Sequence, residues 1–552
     1  MSGRAVRLAA ILVGSNTIRS LVVEADSRDA YRTLDAERVT TRLGEGLESR
    51  GEIAPEAMLR TIEALRRLVG ITQAFQPAET RAIATSAVRD ARNGPQFVER
   101  VRNEIGIELE VVSGEDEARL AWRSAAAEFD LGEGPCAVVD IGGASTEVVL
   151  ADGGRPVAAH SLALGALRLA ERLPDLDPIP PGALRRMRAA IRGVIEERLG
   201  GARGGEAARE DGAHAEGPRA DGARAANAAP IAVGSGGTVS ALARVAFGPA
   251  AEALPSLHGL SVSRVRLKRA FRRIRSMPFD ERRRIPGLSP ERAEILVPGA
   301  AALLEVMRAV GARRLHINER GLREGVLLEM IDRAFPEPAG GAAARADWLS
   351  GVLSFADTAR FEKDHSLHVA HLAGLAFEAL APLHGLAPRD REILQAAAIL
   401  HDIGHSGGAR GHHRRAYETI RSARFPGLAP REVRLVALLV RYHRGARPRG
   451  RHPEFACLPR DERRRVMRLT AILRVVDGLD RGHAARIRGI GARIDGERVE
   501  LQIDARENPD LELWGGGRKA DLFERVFGRS VAFRVVNEAH AREGASGSAA
   551  RS

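Results

Sequence analysis

The stretch that decides the fold is Asp140-Ile-Gly-Gly-Ala-Ser-Thr-Glu147. It follows the apolar run Cys136-Ala-Val-Val139 and leads into Val148-Val-Leu150: a strand, a glycine turn carrying polar groups, and a second strand. A hairpin needs only two turn residues of suitable type, so this longer polar turn is more than a reversal. Gly142 and Gly143 let the backbone approach a ligand closely and aim successive N–H groups at it, a nest suited to phosphate, with Ser145 beside them. Asp140 and Glu147 flank the turn with carboxylates, which suit a hard cation such as Mg2+. Such a turn by itself is more often only a turn; its company along the chain gives it weight.

Two further glycine loops share the pattern. Upstream, residues 8–13 and 20–24 are β-rich runs separated by Gly14-Ser15-Asn16-Thr17-Ile18-Arg19, with Arg19 available as a charge clamp. Downstream, Ile231-Ala-Val-Gly234 reads as a strand and Ser235-Gly236-Gly237-Thr238 as the loop before a helix, an anion cradle by geometry. Between them, Arg81–Ala84 reads as a strand, and Thr85-Ser86 caps a helix carrying Arg89. Glu115-Asp116-Glu117 opens a helix running to about Phe129, where acids are expected from the helix dipole alone. Residues 55–70 are amphipathic, with Met58, Ile62, Leu65 and Leu68 on one face, and Glu291–Val310 is a long apolar core helix. Arg323 stands at the start of the helix that Gly321 opens. The Arg-rich helices at 262–285 are either a solvated face or a binding surface.

At 552 residues the chain holds about three or four domains. Its 84 Lys and Arg against 72 Asp and Glu give a net charge of +12, which suits polyanionic partners. Cys136 and Cys457 lie far apart, outside any metal-ligand spacing, and fit a reducing, cytoplasmic setting. No apolar run approaches the ~20 residues of a membrane helix, so no membrane partner is expected. Residues 201–229 contain no Val, Ile, Leu, Met, Phe, Trp or Tyr and read as a disordered insertion. Residues 335–345 read as a linker, beyond which the pattern turns helical; ten of the 16 histidines fall between His365 and His452.

The motifs GSNTIR (14–19), ATSAVRDA (84–91), SGEDEAR (113–119), DIGGASTEVV (140–149), SLALGALRLAE (161–171), VGSGGTVSALA (233–243) and GLREG (321–325) occur in the order and spacing of one family. Over residues 8–330 the chain resembles the exopolyphosphatase/guanosine pentaphosphatase (Ppx/GppA) family. The resemblance implies an α/β, actin-like (ribonuclease H-like) two-lobed phosphotransferase fold. It also implies release of terminal phosphate from inorganic polyphosphate, or hydrolysis of pppGpp to ppGpp, with Mg2+. On these family positions Arg19, Arg89 and Arg323 contact phosphate together with the three glycine loops. Glu117 is the general base for water, and Asp140 and Glu147 are the metal-side acids. Nucleic acid is not expected as a partner. Three positions depart from the pattern: Leu12 replaces an Asp, Ala144 the third glycine, and Asn318-Glu319 a Ser-Asp pair. If Leu12 weakens the metal site, residues 1–330 are instead a polyphosphate- or nucleotide-binding sensor.

In the helical half, His365, His401-Asp402, His412-His413, Tyr442-His443 and Asp477 resemble the HD metal-dependent phosphohydrolase superfamily. That resemblance makes His365, His401, Asp402 and Asp477 ligands for Mn2+ or another divalent transition metal. His412 and His443 become second-metal or substrate ligands. His368 and His371 read as surface or supporting residues, and His405 and His452 as surface. Arg415 stands where the pattern has a histidine, which argues against a two-metal centre; the alternative is an inactive regulatory domain. The expected organisation is lobes at 1–128 and 129–335, an all-α HD-type domain at 345–490 and a small α+β segment at 491–537. Long family members often form homodimers through the helical half.

Overall fold

The computed structural model describes residues 5–28, 31–129, 131, 134–173, 177–200, 230–252, 254, 256–336, 348–359, 361–403, 412–423, 425 and 427–536. The insertion expected at 201–229, most of the linker, His405 and the polar C-terminus lie outside the described residues, as does the side chain of His412. The chain forms two units, Met1–Ala339 and Gly340–Ser552.

The first unit contains two sheets built to one plan. Strands β1 (Val6–Val13), β2 (Thr17–Ala25), β3 (Tyr31–Thr40), β4 (Glu79–Ala84) and β5 (Leu109–Val111) lie in the order β3-β2-β1-β4-β5. Strands β6 (Cys136–Ile141), β7 (Thr146–Asp152), β8 (Arg155–Leu162), β9 (Ile231–Ser235), β10 (Ser261–Ser263) and β11 (Arg314–Ile317) lie in the order β10-β11-β9-β6-β7-β8. In each sheet an antiparallel meander of three strands is followed by a parallel strand against the first of them. All six residues of β6 are buried, which explains its unbroken apolar run before Asp140. This duplicated sheet is the two-lobed actin-like arrangement.

Helix α1 (Pro55–Ala74) buries Met58, Ile62, Leu65 and Leu68 in the core beside the first sheet. It is followed by the short α2 (Ser86–Asp90) and by α3 (Gly114–Glu128), where the Ser113 hydroxyl accepts the Asp116 N–H at 3.1 Å. The second half supplies α4 (Gly237–Phe247), α5 (Arg264–Arg275), α6 (Pro290–Ala309) and α7 (Leu322–Ala334). The two halves exchange helices. Although α3 follows β5, it packs on β6, β7 and β8, whereas α7, at the end of the second half, packs on β1 and β2. One core therefore joins Leu8 and Ile83 of the first sheet, Val138 and Val233 of the second, and Leu120, Val326 and Met330 of the exchanged helices. A division at 128/129 cuts the chain but not this core.

The second unit has α8 (Lys363–Ala379), α9 (Arg389–Leu400), α10 (Pro430–Tyr442) and α11 (Arg460–Gly478) among its helices. Its tail, expected as a small α+β segment at 491–537, begins earlier, at Ile487: strands β12 (Ile487–Asp495), β13 (Arg498–Ala505) and β14 (Ser530–Val535) form a three-stranded sheet, with α12 (Asp510–Lys519) in the crossover. Among the described residues no helix is long and apolar enough to cross a membrane.

Helices α3 and α7 touch where Gly325 lies against the Leu120 backbone; a Cβ there would overlap the Leu120 carbonyl oxygen. Gly325→Ala is expected to cost about 1–3 kcal/mol in denaturant unfolding, as overpacking against backbone does; an unchanged midpoint would refute this packing.

Candidate active site

The glycine loops of the two sheets meet. Gly142 N–H donates to the Ser145 carbonyl at 3.0 Å, so the turn is four residues long, and Asp140 pairs with Glu147 across the β6–β7 ladder. Neither Gly142 nor Gly143 has a left-handed φ. The glycine requirement at 143 is one of space: a Cβ would lie 3.0 Å from the Ser15 Cβ in the opposite loop. Ser15 Oγ and Ser145 Oγ both reach Ser86 Oγ, at 3.2 and 3.4 Å, so three buried hydroxyls from three loops converge. Gly236 has φ +92°, and a Cβ there would overlap Ile141, so only glycine fits this third loop. Ala144 is buried and its φ is not left-handed, so its methyl is accommodated.

These loops line a cavity of about 470 Å3. Gly14, Ser15, Asn16, Arg19, Glu117, Asp140, Gly142, Gly143, Ser145, Glu147, Gly236, Gly237 and Arg323 all border it. Its acids sit deep. Burial raises Glu117 to about 7 against the opposing pull of Arg89, and raises Asp140 to about 6 against Arg19. Glu147 is raised well above the carboxylate range by burial, then by Glu117 and Asp140, although Ser161 Oγ donates to it at 3.0 Å. Three buried carboxylates this near one another resist ionising together.

Facing them are arginines that burial likewise penalises. Arg19, on β2 rather than in the turn, is lowered to about 10 by burial and by Arg323 and Arg38 nearby. Arg292, which the sequence reading missed, is 8% exposed and lowered to about 9 by burial, then by Arg38 and Arg19. Its guanidinium lies against Gly237, over the third loop. The signal was available: a lone basic residue in the first turn of the apolar α6 opposes the helix dipole. Arg323 lines the cavity but also donates to the Ser20 carbonyl at 2.6 Å and to Glu324 at 2.7 Å.

Two residues expected to touch phosphate are placed elsewhere. Arg89 is absent from the cavity wall; its guanidinium donates to Glu117 and, at 2.9 Å, to the Val112 carbonyl, so it orients the carboxylate. Thr238 is fully buried beside Gly299 of α6, because it lies one residue inside α4. Leu12 borders the cavity opposite Arg19 in the β1–β2 ladder and packs on the core. Asn318 is fully buried and accepts the Arg320 N–H at 3.1 Å, and Glu319 accepts from Ser256 at 2.5 Å, so this pair shapes the loop before α7.

The chain matches the Ppx/GppA phosphatase family over residues 21–212 and 219–334, and domain III of Ppx/GppA phosphatase over residues 350–512. It belongs to the Ppx/GppA phosphatase family. Exopolyphosphatase 1 of Mycobacterium tuberculosis is 33% identical over 332 residues, covering 59% of this chain and 89% of that protein. Exopolyphosphatase 1 of Mycobacterium leprae is 33% identical over 331 residues, covering 59% and 90%. The crystal structure of an exopolyphosphatase from Cytophaga hutchinsonii shares the fold, with a TM-score of 0.52 at 24% identity over 59% of this chain and 98% of that one.

The second unit of this Ppx/GppA member gathers the histidines. Among the described residues, His365, His401 and Asp477 are the one set of three whose ligand atoms all lie within 4.8 Å of one another; Asp140, Glu147 and Glu117 make no such set. His401 Nδ1 and His443 Nδ1 lie 2.7 Å from the Ala398 and Val440 carbonyls and so donate, leaving each Nε2 lone pair for the centre. Nε2 of His401 is buried without a hydrogen-bond partner, 3.7 Å from Asp477 Oδ1 and 3.6 Å from Asp402 Oδ2. His443 Nε2 lies 3.6 Å from Asp402 Oδ1, and burial, with His401 beside it, pushes its pKa down to about 3. Imidazoles and carboxylates around an orphaned nitrogen are the donor types that suit a divalent transition metal. Two supporting residues were missed: Asp480, whose Oδ2 is 2.8 Å from His365 Nδ1, and Lys519 of α12, which donates to Asp477 Oδ2. Asp480 was signalled by its place one turn after Asp477; Lys519 carried no signal, being far from the cluster in sequence. His371 is exposed, and His368 Nε2 lies 4.0 Å from Asp480 Oδ1.

Glu147 generates a pH test. Its pKa is raised on folding, so its penalty is absent below the ordinary value of 4.5 and full once it must ionise in the folded state. In EDTA, Glu147→Gln is therefore expected to unfold several degrees higher than wild type at pH 8, with the gap closing as pH falls toward 4.5. A gap independent of pH would refute the buried-charge account. For the histidine centre, Mn2+ at a hundredfold excess over its Kd should add about 2.7 kcal/mol to unfolding. His401→Ala should abolish that gain; retention of it would place the metal elsewhere.

Proposed function

We propose that this protein is an exopolyphosphatase that releases terminal orthophosphate from inorganic polyphosphate, its first unit carrying the chemistry. The observation that carries the reading is Glu117: a buried carboxylate raised to about 7, fixed by Arg89, bordering a cavity that also holds Arg19, Arg292 and Arg323. A general base works best with a pKa near the operating pH. The neighbouring arginines and the loop N–H groups match the spread negative charge of a phosphoryl group in transfer. The terminal phosphate sits between Arg19 and Arg292 with its oxygens toward the Gly14 and Gly236 loops. Glu117 takes a proton from water, the water oxygen bonds to phosphorus, and the anhydride P–O bond breaks to release orthophosphate and a chain one unit shorter. Asp140 and Glu147 would hold Mg2+, which supplies charge neutralisation at the phosphoryl oxygens; Leu12 gives it no ligand. Arg89 keeps the Glu117 carboxylate in place and is a positioning residue.

A second reading draws on the orphaned His401 nitrogen. In it the first unit binds polyphosphate or a nucleotide as a sensor and the histidine centre is the hydrolytic site. Phosphate release from long-chain polyphosphate with Mg2+ separates the two. Glu117→Gln is expected to lower turnover about 10²–10⁴-fold, the usual contribution of a general base, and wild-type activity should rise with pH through about 7 as Glu117 ionises. Asp402→Ala should leave it unchanged. Loss on Asp402→Ala with Glu117→Gln active would reverse the assignment.

A further inference from the structure

Seven of the twelve residues of α5 are Arg or Lys, and none is acidic. Leu267, Ala270, Phe271 and Ile274 bury its inner face against α4 and α6, two helices that also wall the cavity. Arg266 is occupied on the inner side, donating to the Ala246 carbonyl at 2.7 Å and lying over the Phe247 ring. Lys268, Arg269, Arg272 and Arg273 are half-buried or exposed, and among the described residues no carboxylate pairs with any of them. Some exposed arginines of this unit do have acids beside them, as in Arg66 with Glu104 and Arg172 with Glu48. Lys268 and Arg272, and Arg269 and Arg273, stand at i,i+4, where like charges repel. Arg264 and Arg266 in the first turn oppose the helix dipole, whereas Arg272 and Arg273 in the last turn complement it. The like charges at i,i+4 remain unbalanced, and the face gains from a polyanion.

Two observations identify that polyanion. The exposed face bears no aromatic ring, since Phe271 is buried, so it offers no platform for a nucleobase. The chain leaving α5 reaches the cavity rim at Gly287, Leu288 and Ser289, passing the exposed Arg284. We propose that the exposed face of α5 is a second binding site for inorganic polyphosphate, gripping the distal part of a chain whose end lies in the cavity. This rests on the polyphosphate reading above. Holding both parts of one chain makes end capture intramolecular, so chain length sets affinity.

The test combines Lys268→Gln, Arg269→Gln, Arg272→Gln and Arg273→Gln in the full chain, with circular dichroism and thermal unfolding to confirm the fold. Binding of labelled long-chain polyphosphate is measured in the Glu117→Gln background, and hydrolysis of long-chain polyphosphate and tripolyphosphate in the active one. The expected result is an affinity for the long chain at least about tenfold weaker, and a slope of log affinity against log salt smaller by about three, as loss of four phosphate contacts on a flexible polyanion requires. The kcat and the KM for tripolyphosphate should not change. Equal effects on long and short chains, or none, would overturn the proposal. So would single-stranded DNA displacing polyphosphate at equal phosphate concentration, which would make the face a nucleic-acid surface. Binding that depends on α5 in a protein that releases no phosphate would overturn the catalytic reading and uphold this one.

Discussion

A side chain on Gly143 would collide with Ser15, and that close approach between loops of two separate sheets is the constraint on which the rest of the first unit depends. It holds because the sheets do not have separate cores. With α3 packed on the second sheet and α7 on the first, moving one sheet strips apolar surface from both. The loops are thus apposed by the same burial that folds the unit, and Ser15, Ser86 and Ser145 record how tightly.

The cavity so formed is electrostatically incomplete. Its carboxylates are pushed up and its arginines down by the same burial, and the two groups are only partly matched to one another. Acids that repel one another await a cation, and clustered guanidiniums await an anion. The proposed substrate, a phosphate chain carrying a divalent ion, would supply both at once. Stability given up here is recovered in the shared core, a common relation between active sites and the folds that carry them.

The histidine centre of the second unit follows a different logic. Its imidazoles are fixed by hydrogen bonds from Nδ1 to backbone carbonyls or to Asp480, so each Nε2 is turned toward the carboxylate of Asp402 or Asp477. Lys519 brings the α+β tail into this arrangement through Asp477, which makes the tail part of the site.

Much of this was legible in the sequence. The apolar runs ahead of Gly14, Asp140 and Gly236 read as strands because they are short and end in glycine turns, whereas the much longer apolar run of α6 is a helix. Their glycine turns placed the cavity, and the motifs around them placed Glu117, Asp140, Glu147 and Arg19. The His, His-Asp and Asp spacing likewise marked His365, His401, Asp402 and Asp477, which the fold gathers. Tertiary structure alone decided the exchange of α3 and α7, since both are equally apolar whichever sheet they cover. It also turned Arg89 to Glu117 and Thr238 into the core, and it brought Arg292 and Lys519 to sites far from them in the chain. Pattern determines which residues are buried or polar; which distant side chains meet is set by packing, and packing is written in no single segment.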